Sequence, residues 1–375
     1  MTTTEPLALI DHHCHGVVTG ALDRAGFEGL LTEAPWPAAP GTSMFDSQLG
    51  FAVRRWCAPV LGLEPSAPAD GYLQRRAELG IGEVDRRLLR AARVEAWLVD
   101  TGYQASQIVT PDQLAAASGA QAHVIVRLEA VAEQVARAGA GAAEFTALFA
   151  AALAAAVKNA VGLKSIAAYR FGLDFDPGRP DAAHVRDAAG RWLRAVDADP
   201  AARLDDPVLL RHLVWTGVDT GLPLQFHVGF GDPDVRLHRA DPSLLHDFLL
   251  ATQPAGIPIM LLHCYPYHRQ AGYLANVFPH VYMDVGEAIN HVGARSAAVL
   301  AEALELTPFH KMLYSSDAFG LPELHYLGAL SFRRDLAAVT GRFVADDVWS
   351  AADAGRVGRL IGSANARRVY QLAAA

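Results

Sequence analysis

Cysteine is scarce in this chain, with three in 375 residues. So few thiols cannot form a disulfide framework, and a reducing, cytoplasmic setting is the simpler expectation. Charge is scarce as well, at 19% of residues, and 32 basic against 40 acidic side chains leave a net charge of −8. That balance gives no electrostatic footprint for nucleic acid, so no such partner is expected. The start, MTTTEPLALIDHHCH, lacks the basic region and long apolar stretch of a signal peptide. An alanine-dominated run near residues 148–157 is bounded by Glu144 and Lys158. It falls short of the ~20 apolar residues of a membrane span, so a buried amphipathic helix is expected there and no membrane partner. No Gly-rich dinucleotide turn follows any apolar run, which weighs against a doubly wound nucleotide-binding sheet.

Apolar residues are plentiful, at 51%, enough for a sizeable core. Eight short apolar or β-branched runs recur at 7–13, 94–102, 123–131, 163–170, 222–230, 257–265, 281–287 and 312–320. Most have helical patterns between them, which implies βαβ units and a parallel sheet. The expectation is an α/β fold, a (β/α)8 TIM barrel forming a single domain over 1–375. Residues 16–93 break the rhythm, with a Pro/Gly-rich front and then helical patterns. In a barrel this helical insertion leaves from the C-terminal rim of strand 1, where active sites lie, so it is a candidate lid. A second insertion after strand 4 is expected to add helices.

Fifteen histidines stand out, and their positions matter more than their number. Asp11-His12-His13-Cys14-His15 closes the first run. Strand alternation turns His13 and His15 to one side and His12 and Cys14 to the other. Strand 5 ends at His227, strand 6 at His263 and strand 8 at Asp317, all at the same expected rim. His13, His15 and His227 with Asp317 form a donor set suited to Zn²⁺, with Mn²⁺ or another divalent transition metal as alternatives. Such an ion lowers the pKa of water toward ~7, Asp317 can accept the proton, and His263 can polarise a substrate.

With these motifs in this order, the chain resembles the amidohydrolase superfamily: His-x-His on strand 1, His on strands 5 and 6, Asp on strand 8. More narrowly, GLKSIAAYRFGL, PLQFHVGFGDPD, LLHCYPYHRQAGYLANVFPHVYMDVGEAI and SSDAFGLPELHYLGA resemble the amidohydrolase domain of nodulin-type and fungal developmental proteins. That domain occurs alone or fused to a glutamine-synthetase-like domain. The resemblance implies His13, His15 and His227 as metal ligands, Asp317 as ligand and proton acceptor, and His263 as a second ion's ligand or a polarising group. Binuclear members bridge their ions with a carboxylated lysine late in strand 4. Only Lys164 is offered here, early in the expected strand and below the rim, so one ion is favoured over two.

Further polar residues are candidates for small-molecule recognition. Arg127 and Glu129 share a face of expected strand 3, either as an internal ion pair or to clamp a substrate carboxylate and ammonium. Tyr169 and Arg170 close expected strand 4, Gln225 shares the face of His227, and Asp100 and Glu287 end strands 2 and 7. His268 and His325 read as loop or helix-start residues, and Trp192, Trp215 and Trp349 as packing. Cys14 and Cys264 are expected to turn away from the metal. The arginine pairs at 54–55, 75–76 and 86–87 read as solvated helix faces.

The leading function is a metal-dependent hydrolase of a C–N, amide-like bond by activated water. The resemblance implies a γ-glutamyl amide among such substrates. A non-hydrolytic decarboxylase or sugar-acid isomerase on the same site is the enzyme alternative, and a non-catalytic metabolite-binding or scaffold barrel is the alternative of another class. Nothing in the sequence marks an interface, and homo-oligomerisation stays open.

Overall fold

Four of the apolar runs fold at their expected places as fully or largely buried parallel strands, the third as a half-buried strand, the fourth as a strand several residues earlier than expected, and the seventh as a shorter one. The computed structural model describes residues 6–373. Its strands are β1 (Leu9–Cys14), β2 (Val94–Asp100), β3 (Gln121–Arg127), β4 (Ala160–Ser165), β5 (Leu224–Val228), β6 (Ile259–His263) and β7 (Val281–Met283). They pair in chain order in one parallel sheet of seven strands. β1, β5 and β6 are buried along their whole length, as a sheet covered on both faces requires.

The eighth run differs from expectation. Residues 312–318 form no regular strand, yet they hydrogen-bond to both edges of the sheet. Leu313 N donates to Met283 O of β7 at 3.0 Å, and His12 N of β1 donates to Tyr314 O at 3.1 Å. Asp317 N also donates to His13 O, and His15 N to Ala318 O. The physical reason is that Ser315 and Ser316 turn their hydroxyls to Asp284 and Asp11, and Asp317 takes a left-handed backbone, so a regular ladder cannot persist.

Alternation along the strands sorts the core into two layers. Leu9, Trp97, Val99, Leu163 and Phe226 face the surrounding helices. Ile10, Leu98, Ile125, Met260, Leu262 and Leu313 face inward with Ala366, Val369 and Tyr370 from the last helix. The helices begin where the sequence supplies caps. Thr110 and Gln113 form a capping box for Pro111–Ser118, and Asp181 and Asp206 cap Ala182–Ala198 and Pro207–Val218. The alanine-rich run forms helix Phe145–Ala156 and buries Phe145, Phe149 and Leu153. Among the described residues no helix is long and apolar enough to cross a membrane.

Between β1 and β2, helices including Ala69–Leu79 and Ile81–Ala92 build a separate apolar cluster. Phe27, Phe45, Leu49, Tyr72 and Leu88 pack there against Leu324 and Leu327 of helix Pro322–Ala345. Arg76 corrects the expectation of wholly solvated arginine pairs. Its Nε donates to the fully buried Glu323 at 2.6 Å, beside the Tyr72 hydroxyl bonded to the same carboxylate.

Candidate metal centre and active site

β1, β5, β6 and the 312–318 segment bring His13, His15, His227, His263 and Asp317 to the wall of one cavity of about 480 Å³. His13 Nε2 lies 3.1 Å and His15 Nε2 3.6 Å from Asp317 Oδ1, while His263 Nδ1 lies 3.4 Å from Oδ2. The His227 ring is centred 4.7 Å from that of His263. His227 Nε2, His263 Nδ1 and Asp317 Oδ1 are buried and have no hydrogen-bond partner among the described residues. His263 (φ 68°) and Asp317 (φ 49°) both hold left-handed backbones, which cost about 1–3 kcal/mol each in a residue with a side chain. The surroundings fix them there, since Asp284 Oδ1 accepts from His263 N and His13 O accepts from Asp317 N.

A directed chain of hydrogen bonds decides which nitrogen each imidazole presents. Asp284 Oδ2 can only accept, so His12 Nε2 donates to it at 2.9 Å and His12 Nδ1 is left to accept from the Tyr370 hydroxyl at 3.0 Å. The same hydroxyl oxygen accepts from Gln225 Nε2, which also donates to His12 O, both at 2.8 Å. The Gln225 amide is therefore oriented, and its Oε1 accepts from His13 Nδ1 at 2.8 Å. His15 Nδ1 donates to the Asp100 carbonyl at 3.1 Å. Both histidines consequently present Nε2 lone pairs to Asp317.

Burial, assisted by Lys164, pushes His13 down to about 3, and burial brings His263 to about 4 and His227 well below its ordinary value. Burial opposes ionisation of Asp317, but His263 and the ring nitrogens of His13 and His15 outweigh it and hold the carboxyl well below the usual range. The Nε2 lone pairs of His13 and His15 and an anionic oxygen thus converge beside the unpartnered nitrogens of His227 and His263. A divalent cation satisfies all of them at once, and the N/O donor set suits Zn²⁺ and its neighbours.

Several expected placements are corrected. Lys164 is not below the rim: β4 ends at Ser165, and Lys164 Nζ lies 3.5 Å from His13 Nε2 on the cavity wall. Burial lowers its amine to about 8. Gln225 does not reach the cavity, because all its hydrogen-bonding capacity orients His13. Glu129 lies past the end of β3, in the first turn of helix Leu128–Arg137, and accepts from Ser165 Oγ and Ile166 N away from the cavity. The ion pair at Arg127 is with Asp100, at 2.6 Å, and not with Glu129.

Tyr169 and Arg170 line the cavity as expected, but from the short helix Ala167–Arg170 and not from β4. The Tyr169 ring lies tilted with its centre 4.3 Å from that of His227, and Gly231 leaves it room, since a Cβ there would sit 2.3 Å from the Tyr169 hydroxyl. Glu287 also lines the cavity, from helix Gly286–Val292 past β7. Cys14 and Cys264 point to backbone carbonyls. His268 opens a helix and pairs with Glu302, and His325 is buried edge-on against Trp97. His12 points to Tyr370 and lies outside the cavity, on a stretch where the register of β1 against β2 shifts between Asp11 and Cys14.

Other lining residues carried no usable signal in the sequence. Glu33, Ala34 and Pro35 reach the cavity from the 16–93 segment, and Arg203, Asp232, Asn290 and His291 from loops and helices behind the strands.

Known proteins resemble this chain in sequence and fold. The amidohydrolase family model matches residues 10–372. Protein fluG of Emericella nidulans is 33% identical over 224 residues, covering 56% of this chain and 26% of that protein. A structure from Lactobacillus casei ATCC 334, provisionally described as a metal-dependent hydrolase, is 28% identical. It superposes with a TM-score of 0.84 over 97% of this chain and 95% of its own. Glucuronate isomerase of Caulobacter crescentus shares the fold at a TM-score of 0.67 and 14% identity, over 99% and 92% of the two chains. The chain belongs to the amidohydrolase family.

Proposed function

We propose that this protein is an enzyme, a metal-dependent hydrolase of a C–N, amide-like bond, with His13, His15, His227 and Asp317 as the ligands. One observation carries the reading: the Nε2 atoms of His13 and His15, with tautomers fixed from behind, face an ionised Asp317 with no donor among them. A divalent ion held there supplies Lewis acidity for the scissile carbonyl and makes water acidic enough to attack near neutral pH. Asp317, ionised and at the cavity wall, takes the proton from the attacking water and delivers it to the departing amine. His263, 3.4 Å from Asp317, stabilises charge developing on the carbonyl oxygen.

One ion per chain remains our reading, with Lys164 as a cationic neighbour; elemental analysis returning two ions would give Lys164 the bridging role. Arg127, Tyr169, Arg170 and Arg203 face the same cavity and receive the anionic part of the substrate. A γ-glutamyl amide fits that demand, since it carries a carboxylate. Residues 16–93 act as the lid, a role supported by the reach of Glu33, Ala34 and Pro35 into the cavity. The test is turnover of γ-glutamyl amides in ¹⁸O-water. Hydrolysis places solvent oxygen in the new carboxylate, and a product without it sinks the reading in favour of isomerisation or decarboxylation.

A further inference from the structure

Behind β7, the cavity wall changes character from donors to acceptors. Glu287 and Asn290, on helix Gly286–Val292, line the cavity and are each only 5% exposed. Asn290 Nδ2 donates to Ser316 O at 3.5 Å and Leu324 O at 3.3 Å, two groups that can only accept. That fixes the amide and leaves its Oδ1 without a partner; Glu287 Oε2 has none either. Glu33, from the segment after β1, completes the group, its carboxylate within 4.8 Å of the nearest oxygen of Glu287 and of the His291 ring. His291 Nε2 is already turned to Glu33 Oε1 at 3.4 Å.

Buried acceptors without donors are costly, so the wall is incomplete until a donor-rich group enters. Two carboxylates and one amide oxygen present three acceptor groups, which matches the three N–H bonds of a primary ammonium. Position agrees with this. The strand order sets β7 across the sheet from β3, which ends at Arg127, and from β4, which is followed by Arg170 on the short helix Ala167–Arg170, so the acceptors and these guanidinium groups line different walls of the cavity. Burial, with Glu33 and Asp317 nearby, also pushes the Glu287 carboxyl well above its ordinary value, a penalty that a bound cation relieves.

We infer that Glu287, Asn290 and Glu33 form an ammonium-binding subsite beside the metal centre, so that the substrate is an amide carrying a free primary amine. This rests on the metal-dependent reading above and adds the identity of the group that the far wall recognises. The subsite fixes the substrate's orientation and rejects N-acylated analogues, whose neutral amide cannot replace an ammonium among acceptors.

The experiment is calorimetric binding to the zinc-loaded full chain of matched hydroxamates: glycine, β-alanine and 4-aminobutyric hydroxamates against aceto-, propiono- and butyrohydroxamate. At least one amine-bearing member should bind about tenfold or more tighter than its partner, the worth of charge-assisted hydrogen bonds in a buried site. Glu287→Gln should erase that preference and Asn290→Ala should reduce it, with the amine-free hydroxamates binding both variants as they bind the parent. Their unchanged binding shows that the variants are folded. Equal affinities across every pair in the parent protein would overturn the subsite while leaving the metal reading intact. Loss of one zinc per chain in Glu287→Gln would overturn it too, by making the cluster a metal site. Failure of every hydroxamate to bind the loaded protein would remove the metal reading and the subsite together.

Discussion

The floor of the cavity and its rim are built on different principles. On the floor, His13 and His15, two of the proposed ligands, stand at the end of β1 and are each held from behind by a partner of fixed polarity, His15 by the Asp100 carbonyl and His13 by Gln225, Tyr370, His12 and Asp284 in succession. On the rim, Arg170, Arg203, Glu33 and Glu287 stand on short helices and loops, with partial exposure or unpartnered atoms. A floor of this kind presents one arrangement of donors, whereas a rim of this kind can be changed without disturbing it. Chemistry and specificity are thus separable in this molecule.

The largest expected effect tests the floor directly. Asp317→Asn removes the anionic donor and the proton acceptor together and should lower turnover by about 10²–10⁴-fold or more, with the melting temperature little changed. Turnover near the parent's would break the assignment. Gln225→Leu touches no substrate, yet it frees the His13 ring, and metal affinity measured by competition with a chelator should fall by about 10–100-fold. Unchanged affinity would show that the floor does not depend on its backing. Arg203→Ala sharpens the contrast from the other side. It should raise KM for an anionic substrate severalfold and leave metal affinity alone, and a loss of metal would erase the distinction between the two regions.

The smallest effect lies outside both. His280 is buried just before β7 against Thr252, and burial, with Lys311 close by, lowers it to about 4. In the unfolded chain it titrates at the ordinary value near ~6.5, so below that pH the unfolded state takes up a proton that the folded state refuses. Stability from this group is complete above the unfolded value and declines as pH falls toward about 4. Denaturant titrations at pH 7 and pH 5 should show His280→Gln losing about 1–2 kcal/mol less than the parent over that interval. Equal losses would mean that the ring is not held neutral.

The same division governs what the sequence reveals. His13, His15, His227, His263 and Asp317 were legible because histidine and aspartate are rare on apolar strands and the strand order could be read from the alternation of runs. The supports were not. Tyr370 meets Gln225 across 145 positions, and no local pattern encodes that meeting. Arg127 finds Asp100 because β2 and β3 align Asp100 with Ile125, a register that a parallel pair does not announce. Lys164 was misplaced for a smaller reason: the apolar run continues past Ser165 into a helical turn, so the strand end was set several residues late. Glu129 and Glu287 failed the same way, as helix-first-turn residues read as strand ends.

The Tyr370 hydroxyl has a consequence for the order in which the molecule becomes competent. A chain emerging from the ribosome carries all four proposed ligands once residue 317 is out. The hydroxyl that bridges the Gln225 amide and the His12 ring arrives more than fifty residues later, at the cap of helix Asn365–Val369. Until that helix docks beneath the strands, the His12 ring lacks its Tyr370 partner and the Gln225 amide holds only the His12 carbonyl. The backing of the proposed metal site is therefore closed by a segment that lies after every proposed ligand in the chain.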